Sequence, residues 1–433
     1  MLPQLRKLEQ TYPKELRVIG IHTAKFPSEL ETSNVRLATR RHQVYHPVLN
    51  DNKYDVWENY MVGAWPTIVI IGPDGKIIGG MEGEASFKEL SDLMQNLINE
   101  FDGRGILVRS SAQPNNVHTR LNGSRKLAFP GKLAIDPTSE LLYVSDSNHN
   151  RIVVSSLHGQ VIDIIGRGDA GLNDGSFSSA TFNNPQGIEI VGRHIYIADT
   201  ENHAIRRLDM DRRSVETILN TSNVTLSSPW DLTYLNGILY LAMAGIHQIW
   251  DFNLATLEAL PLAGNGLEGI IDGSYSQAQL AQPSGIVAYR NKLFFADSET
   301  SSIRSIELHP IERVETIIGK GLFDFGDVDG NSNEAKLQHP LGLSIHDEYL
   351  YITDTYNNKI KRVSTSTGEA ISIAGTGQAG FRNGHGNNSS FYEPGGIDIH
   401  KNMIYVADTN NHAIRTIDLR SWRVADLNLT GMG

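Results

Sequence analysis

The sequence predicts a multidomain α/β plus all-β chain, in which a small α/β unit is followed by a six-bladed β-propeller. Three observations support this prediction. The stretch IYVADTNNHAIRTIDL at 404–419 returns in similar form at 142–157, 195–210 and 350–365. A Pro followed by an apolar run recurs six times over the same part of the chain. The first 104 residues lack this repeat and alternate short apolar runs with helix-like patterns.

The repeat sets the number of blades. Its prolines, which lie 44 to 57 residues apart, are Pro130, Pro185, Pro229, Pro283, Pro340 and Pro394. Each copy contains four short runs rich in β-branched and aromatic residues, which predicts four strands. The second run is apolar on both alternating faces, as at 195–198, so it must be covered on both sides. Blades packed around a central axis meet that condition.

An Asp ends the second strand in five of the six copies. These residues are Asp146, Asp199, Asp297, Asp354 and Asp408. A short carboxylate there can accept hydrogen bonds from the N–H groups of the following turn, so we assign the Asp residues a structural role. The third copy carries Met243 instead, which predicts that blade three is the least regular.

The longer links between copies contain Asp-Gly or Asn-Gly, as in GLNDGSF and GFRNGHG, and favour turns with positive φ. Asp324, Asp327 and Asp329 cluster in one link, but their spacing does not fit an EF-hand calcium loop. We therefore predict no cofactor. With EPGGIDI before it and AGTGQAGFRNG in related copies after it, VADTNNHAIRTID resembles the NHL repeat. The resemblance covers 129–433 and implies a propeller.

The first unit has an α/β pattern. LRVIGIH at 16–22 predicts a buried strand, and PSELETSNVRLATRRH at 27–42 predicts a helix. A strand at 68–71, a GPDG turn and a second strand follow. Ser86 and Glu89 then form a capping box in front of a helix with apolar residues at a 3.6-residue period.

The segment around Trp65 resembles the TlpA-like branch of the thioredoxin fold. That resemblance implies that Pro66 is a cis-proline and that Trp65, Pro66 and Thr67 line a groove beside an active site. MLPQLRKLEQTY resembles the end of the helix that follows a Cys-x-x-Cys motif, so we expect that motif and the first strand upstream of Met1. An incomplete domain that leans on the propeller is the alternative. The order of the modules resembles the NHL repeat-containing protein 2 family, and we predict domains at 1–104 and 129–433 with a linker at 105–128.

Composition excludes several function classes. The chain has no Cys, so thiolate catalysis, disulfides and Cys-ligated zinc are impossible in it. Its net charge is −11, and residues from 129 onward contain 22 Lys and Arg against 35 Asp and Glu, which argues against nucleic-acid binding. Neither a membrane span nor a signal peptide is recognisable. We predict a cytoplasmic monomer without membrane or nucleic-acid partners.

Loops after the second and fourth strands of every blade open on one face, which we call the loop face. The predicted binding residues there are Asn202, His203, His247, Trp250, Asn357, Asn411 and His412. Some NHL-like propellers are metal-dependent lyases, but His149 and the other three His residues have no spacing that fixes three metal ligands. We expect the basic residues that recur in the third strand to pair with acids of their own or the neighbouring blade: Arg206, Arg304, Lys361 and Arg415.

Two functions of different classes follow. The first is a non-enzymatic scaffold that binds a protein or peptide on the loop face, with a redox-inactive thioredoxin-like domain. The alternative is a thiol–disulfide oxidoreductase whose Cys-x-x-Cys segment lies upstream, as the resemblance implies. A metal-dependent lyase is the third.

Overall fold

The computed structural model describes residues 1–83, 85–110, 126–222 and 226–432, and the chain divides into two compact units, Met1–Ser124 and Arg125–Gly433. Most of the predicted linker lies outside the described residues. Among those described, no helix is long and apolar enough to cross a membrane.

The first unit contains four helices and two small sheets in its described part. Its elements are α1 (Leu2–Thr11), β1 (Gly20–His22), α2 (Thr32–Arg41), β2 (Val48–Asn50), α3 (Asp55–Asn59), β3 (Thr67–Ile71), β4 (Ile77–Glu82) and α4 (Phe87–Gly103). Strands β1 and β2 pair in parallel, whereas β3 and β4 form an antiparallel hairpin.

Two local predictions for this unit have different outcomes. The capping box is confirmed, because the Ser86 Oγ accepts the N–H of Glu89 at 3.2 Å and the Glu89 carboxylate accepts the N–H of Ser86 at 2.8 Å. The buried strand at 16–22 is wrong. Only three of its residues are in β1, and the side chains of Ile19 and Ile21 are exposed.

The second unit consists of six antiparallel blades. Blade one holds β5 (Leu133–Asp136), β6 (Leu141–Asp146), β7 (Arg151–Ser156) and β8 (Val161–Ile165). Blade two holds β9 (Gly175–Ser176), β10 (Pro185–Val191), β11 (His194–Asp199), β12 (Ala204–Asp209) and β13 (Ser214–Leu219). Blade three holds β14 (Pro229–Leu235), β15 (Ile238–Met243), β16 (Gln248–Asn253) and β17 (Ala259–Ala263).

The other three blades follow the same plan. Blade four holds β18 (Gly273–Ser274), β19 (Pro283–Tyr289), β20 (Lys292–Asp297), β21 (Ser302–Glu307) and β22 (Arg313–Ile318). Blade five holds β23 (Gly342–His346), β24 (Tyr349–Asp354), β25 (Lys359–Ser364) and β26 (Ala370–Ala374). Blade six holds β27 (Gly384–His385), β28 (Gly396–His400), β29 (Met403–Asp408), β30 (Ala413–Asp418) and β31 (Arg423–Leu427). The short strands β9, β18 and β27 add a fifth strand to the outer edge of their blades.

The blades form a closed ring, because the first long strand of every blade contacts that of the next, including blade six with blade one. Glycine permits this close approach at the hub. A Cβ added to Gly342 would lie 2.5 Å from the carbonyl oxygen of Gly395, and one added to Gly285 would lie 2.6 Å from that of Leu341. The ring is also closed at its outer edge, where Thr430 exchanges backbone hydrogen bonds with Gly159 and Val161 of blade one.

The hydrophobic core is divided among the seams between blades. Six buried clusters each combine side chains of two adjacent blades. In β11, Ile195 and Ile197 pack towards blade one, whereas Tyr196 and Ala198 pack towards blade three. The prediction that the second strand is covered on both sides is therefore confirmed.

Candidate functional site

The Asp at the end of each second strand binds the segment that leads into its own blade. One oxygen of Asp199 accepts the N–H of Asn183 at 2.7 Å, and this donor lies two residues before the repeat proline. The same bond is made by Asp146 to Ala128 (2.6 Å), Asp297 to Ala281 (2.7 Å), Asp354 to Gln338 (2.7 Å) and Asp408 to Tyr392 (2.8 Å). The role is structural, but the predicted donors in the following turn were wrong.

The second oxygen of this Asp forms a buried ion pair. Arg206 has no exposed side-chain surface; its guanidinium lies 2.8 Å from Asp199 and 2.9 Å from Asp174. It also donates to the carbonyl oxygens of Thr181 and Asn173. Corresponding pairs join Arg304 to Asp297 and Asp272, Lys361 to Asp354, Asp327 and Asp329, and Arg415 to Asp408 and Asp426. We predicted that each basic residue pairs with an acid of its own or the neighbouring blade, and the pairs lie within its own blade.

Burial sets the protonation behaviour of these acids. Loss of hydration raises the pKa of Asp199 to about 6, against the opposing effect of Arg206. Burial likewise raises the pKa of Asp354 and that of Asp408 to about 6. A neutral carboxyl group is easier to bury than a charged one, so each of these carboxylates depends on its cationic partner.

Blade three replaces this polar set by apolar residues. Met243 stands where blade two has Asp199, Trp250 stands where it has Arg206, and Pro261 stands opposite Trp250 in the neighbouring strand. Met243 and Trp250 are buried against blade two. The four strands of blade three nevertheless pair as in the other blades, so its departure from the repeat is confined to side chains and does not reach the strand pairing. Trp250, predicted to be a binding residue, lies inside the seam.

The three Asn residues predicted to bind a partner instead hold the turn against the connector that precedes their blade. The side-chain amide of Asn202 donates to Asp199 at 2.8 Å and to the carbonyl oxygen of Gly171 at 2.7 Å. Asn357 and Asn411 make the same two bonds to Asp354 and Gly326, and to Asp408 and Gly380. These amides place the connectors beside the turns on the loop face.

The residue after these turns forms a bond across the seam, which we call the seam bond. Its side chain accepts the N–H of the residue directly before the repeat proline of the next blade. In three seams the acceptor is a His Nδ1 atom: that of His203 accepts from Ser228 (2.9 Å), that of His247 from Gln282 (3.2 Å) and that of His412 from Phe129 (3.0 Å). In the other three seams the acceptor is a side-chain oxygen: Asn150 accepts from Asn184 (2.9 Å), Ser301 from His339 (3.2 Å) and Asn358 from Glu393 (2.8 Å). All of these donors and acceptors have φ between 46° and 62°.

A hydroxyl group makes a second seam contact. Thr200 Oγ1 donates to the carbonyl oxygen of Pro229 at 2.7 Å, across the seam between blades two and three. Ser147, Ser298, Thr355 and Thr409 donate in the same way to Pro185, Pro340, Pro394 and Pro130. Blade three has Ala244 at this position and cannot make the bond.

The His residues do not assemble a metal centre. His203, His247 and His412 serve three different seams, and His149 contacts Asp146 at 2.8 Å. In the described part of the chain, no group of three or more His, Asp or Glu side chains is arranged to hold a metal ion. His412 and Asn411 do meet at an open cavity of about 450 Å³, which Lys126 and Asn410 also line.

Sequence reasoning missed the exposed apolar side chains of the connectors. They are Leu172, Leu267, Ile271, Phe323, Val328 and Phe381. Leu267 is 61% and Phe381 51% exposed, and the guanidinium of Arg415 lies 4.5 Å from the centre of the Phe381 ring. Large apolar residues within Gly-rich polar links were the available signal, because such links rarely bury their side chains.

In the first unit, the predicted groove residues lie together. The Trp65–Pro66 peptide bond is cis. The Trp65 indole is half-buried; its Nε1 donates to the carbonyl oxygen of Thr23 at 3.0 Å, and its ring centre lies 4.5 Å from that of Trp57. Thr67 Oγ1 donates to the carbonyl oxygen of Ala64 at 2.7 Å. An aromatic surface therefore borders the cis-proline.

Comparison with known proteins agrees with this architecture. A thioredoxin-like family model matches residues 1–77, and an NHL repeat family model matches residues 182–208. The chain is 37% identical over 97% of its length to NHL repeat-containing protein 2 of Gallus gallus, covering 64% of that protein. It is 39% identical over 97% of its length to Protein SUPPRESSOR OF QUENCHING 1, chloroplastic, of Arabidopsis thaliana, covering 43% of that protein.

A solved auxiliary nutrient binding protein from Bacteroides ovatus aligns with a TM-score of 0.52 and 14% identity, over 83% of each chain, and shows the fold alone. Together the fold and the matches define a thioredoxin-like domain followed by a six-bladed NHL-repeat propeller. Over nearly its whole length the chain is similar to NHL repeat-containing protein 2 and to this plant relative. It spans between two fifths and two thirds of the length of these relatives.

Proposed function

We propose that this protein is a non-enzymatic scaffold that binds a protein or peptide segment on the loop face of its propeller. One observation carries the proposal. The connectors present large apolar side chains to solvent on the face where propeller loops gather, and exposed apolar surface of this kind can bind a partner.

The polar residues of the turns have another part in this proposal. The described hydrogen bonds engage Asn202, His203, His247, Asn357, Asn411 and His412 in fixing turns, connectors and seams. A face held in this way loses little conformational freedom when a partner binds, which favours affinity. We propose that these residues support the loop face, together with Trp250, which is buried in the seam between blades two and three. Leu172, Leu267 and Phe381 would contact the partner.

The charge of the propeller restricts the partner. The acids from residue 129 onward outnumber the bases by 35 to 22, so basic groups around an apolar segment would be attracted. We propose a partner segment with apolar side chains flanked by Lys or Arg.

Peptide selection on the whole chain tests this proposal. A displayed library of random peptides would be panned against the protein, and selected peptides would be located by hydrogen-exchange protection of the bound protein. The proposal predicts basic, apolar peptides that protect connectors around Leu267 and Phe381. Peptides that protect only the opposite face, around Leu257 between β16 and β17, would contradict it.

A second candidate is thiol–disulfide exchange in a longer form of the protein. The aromatic groove at Trp65 and Pro66 and the thioredoxin-like match favour it, whereas the present chain has no Cys for the reaction. Insulin reduction by a longer form containing Cys, compared with its Cys-free variant, is the test. Equal rates would reject the redox function.

The remaining expectations also stay proposals. We propose domains at 1–104 and 129–433, which limited proteolysis would delimit. We also propose a monomer in the cytoplasm, without membrane or nucleic-acid partners and without a cofactor; light scattering and imaging of a tagged protein would test the first two points. The lyase hypothesis has no support in the seam geometry of the His residues.

A further inference from the structure

The seam between blades three and four differs from the other five. The seams after blades one, two, four, five and six each have both a seam bond and a hydroxyl bond to the proline carbonyl. Ala244 removes the hydroxyl bond after blade three. Of these two contacts only the seam bond remains at this turn, where the Nδ1 of His247 accepts the N–H of Gln282 at 3.2 Å.

The chemistry of the acceptor makes this seam sensitive to acid. A neutral imidazole accepts at one nitrogen, whereas a protonated imidazole donates at both and cannot accept. Histidine is the side chain that ordinarily changes charge between pH 5 and 8. Asn150, Ser301 and Asn358 accept the equivalent bond with oxygen atoms that do not titrate in this range. His203 and His412 also accept the seam bond with an imidazole nitrogen, but their seams keep the bonds from Thr200 and Thr409.

The charged group that interacts with His247 in the described part of the chain is Asp297 of blade four. Asp297 lies close enough for the charge of His247 to lower its pKa, although burial is the larger effect and raises that pKa. Asp297 is already bonded to the N–H of Ala281 and paired with Arg304. Glu299 follows in the same turn, and its N–H donates to the carbonyl oxygen of Ala281. Asp297 can tolerate a positive charge on His247, but it does not restore the acceptor that Gln282 requires.

We propose that His247 is a pH-operated latch that holds the leading segment of blade four, residues 281–283, against blade three. While the imidazole is neutral, its Nδ1 accepts the Gln282 N–H and the latch is closed. Protonation turns Nδ1 into a donor that faces another donor, and the local bond is lost. The residues beside this segment, in the connector from 264 to 282, then gain freedom, while each of the other five seams keeps its hydroxyl bond to the proline carbonyl. The latch does not depend on the proposed binding function.

Hydrogen exchange of the Gln282 amide tests the latch on the whole chain. Protection factors, corrected for the intrinsic rate, would be measured between pH 8 and pH 5. Losing one hydrogen bond of ordinary strength predicts about a tenfold fall in protection of Gln282 on acidification. His247→Asn is the matched variant, because Asn150 and Asn358 accept the same bond in other seams; its protection should not change with pH. His203→Asn should leave the response of Gln282 unchanged.

Two outcomes would overturn the proposal: constant protection of Gln282 in the wild type, or the same fall in His247→Asn. Should that variant not fold, the ¹⁵N shifts of the His247 ring in the wild type provide a second measurement. They should show Nδ1 without a proton at pH 8 and titrate together with the protection of Gln282. A ring titration that leaves this protection unchanged contradicts the latch.

Discussion

Removing one partner of a buried ion pair gives the sharpest test of how the repeat holds each blade. Arg206→Met deletes a guanidinium with no exposed surface and leaves Asp199 without its cationic partner in a site that has no exposed surface either. Breaking such a pair costs about 3–5 kcal/mol. Adding Asp199→Met produces an apolar pair like Met243 and Trp250 in blade three. The double variant should therefore be more stable than Arg206→Met alone.

The assay is native-state hydrogen exchange of the amides in blade two, which reports the free energy of opening without requiring the two units to unfold together. Arg206→Lys is the matched control, because Lys361 stands at the equivalent position in blade five and lies within 3.4 Å of three carboxylates. We expect it to cost about 1 kcal/mol, the net value of a typical hydrogen bond. A cost below about 1 kcal/mol for Arg206→Met, or a double variant that costs the sum of both single changes, would refute the reasoning.

Two further predictions concern the same ring. Because burial raises the pKa of Asp408 to about 6, against about 3.9 for an unfolded Asp, its contribution to folding is fully present below about pH 4. This contribution falls by about 3 kcal/mol as the pH rises through 6. The difference in unfolding free energy between the wild type and Asp408→Asn should therefore shrink by that amount. A difference that does not depend on pH would contradict the prediction. Gly342→Ala places a Cβ 2.5 Å from the Gly395 carbonyl oxygen and should destabilise the propeller by about 1–3 kcal/mol in thermal unfolding, whereas an unchanged midpoint would show that the hub can relax.

The number of blades and the ion pairs were predictable, because the repeat and its strand patterns are local features of the sequence. The partner of the Asp carboxylate was not. Asp199 accepts a hydrogen bond from Asn183, 16 residues earlier, and only the pairing of β10 with β11 brings these residues together. The seam bonds could be predicted even less from the local sequence, since His412 and Phe129 meet only when the ring closes.

The candidate contact surface illustrates the same limit. Trp residues often dominate protein interfaces. In blade three, however, Met243 and Trp250 replace the two partners of the ion pair, and Trp250 is buried. Leu267 and Phe381 are ordinary apolar residues in the sequence. Their exposure follows from connectors that the turns hold at the surface, and the Gly-rich polar sequence around them was the one local signal of it.

The affinity of a selected peptide for two matched variants tests the proposed function most directly. Phe381→Asp and Leu257→Asp replace apolar side chains of similar exposure on opposite faces of the propeller. Since half of a Phe side chain buried on binding is worth about 1–2 kcal/mol, calorimetry should give a Kd raised about tenfold by Phe381→Asp and unchanged by Leu257→Asp. A Kd that changes only with Leu257→Asp would contradict binding on the loop face.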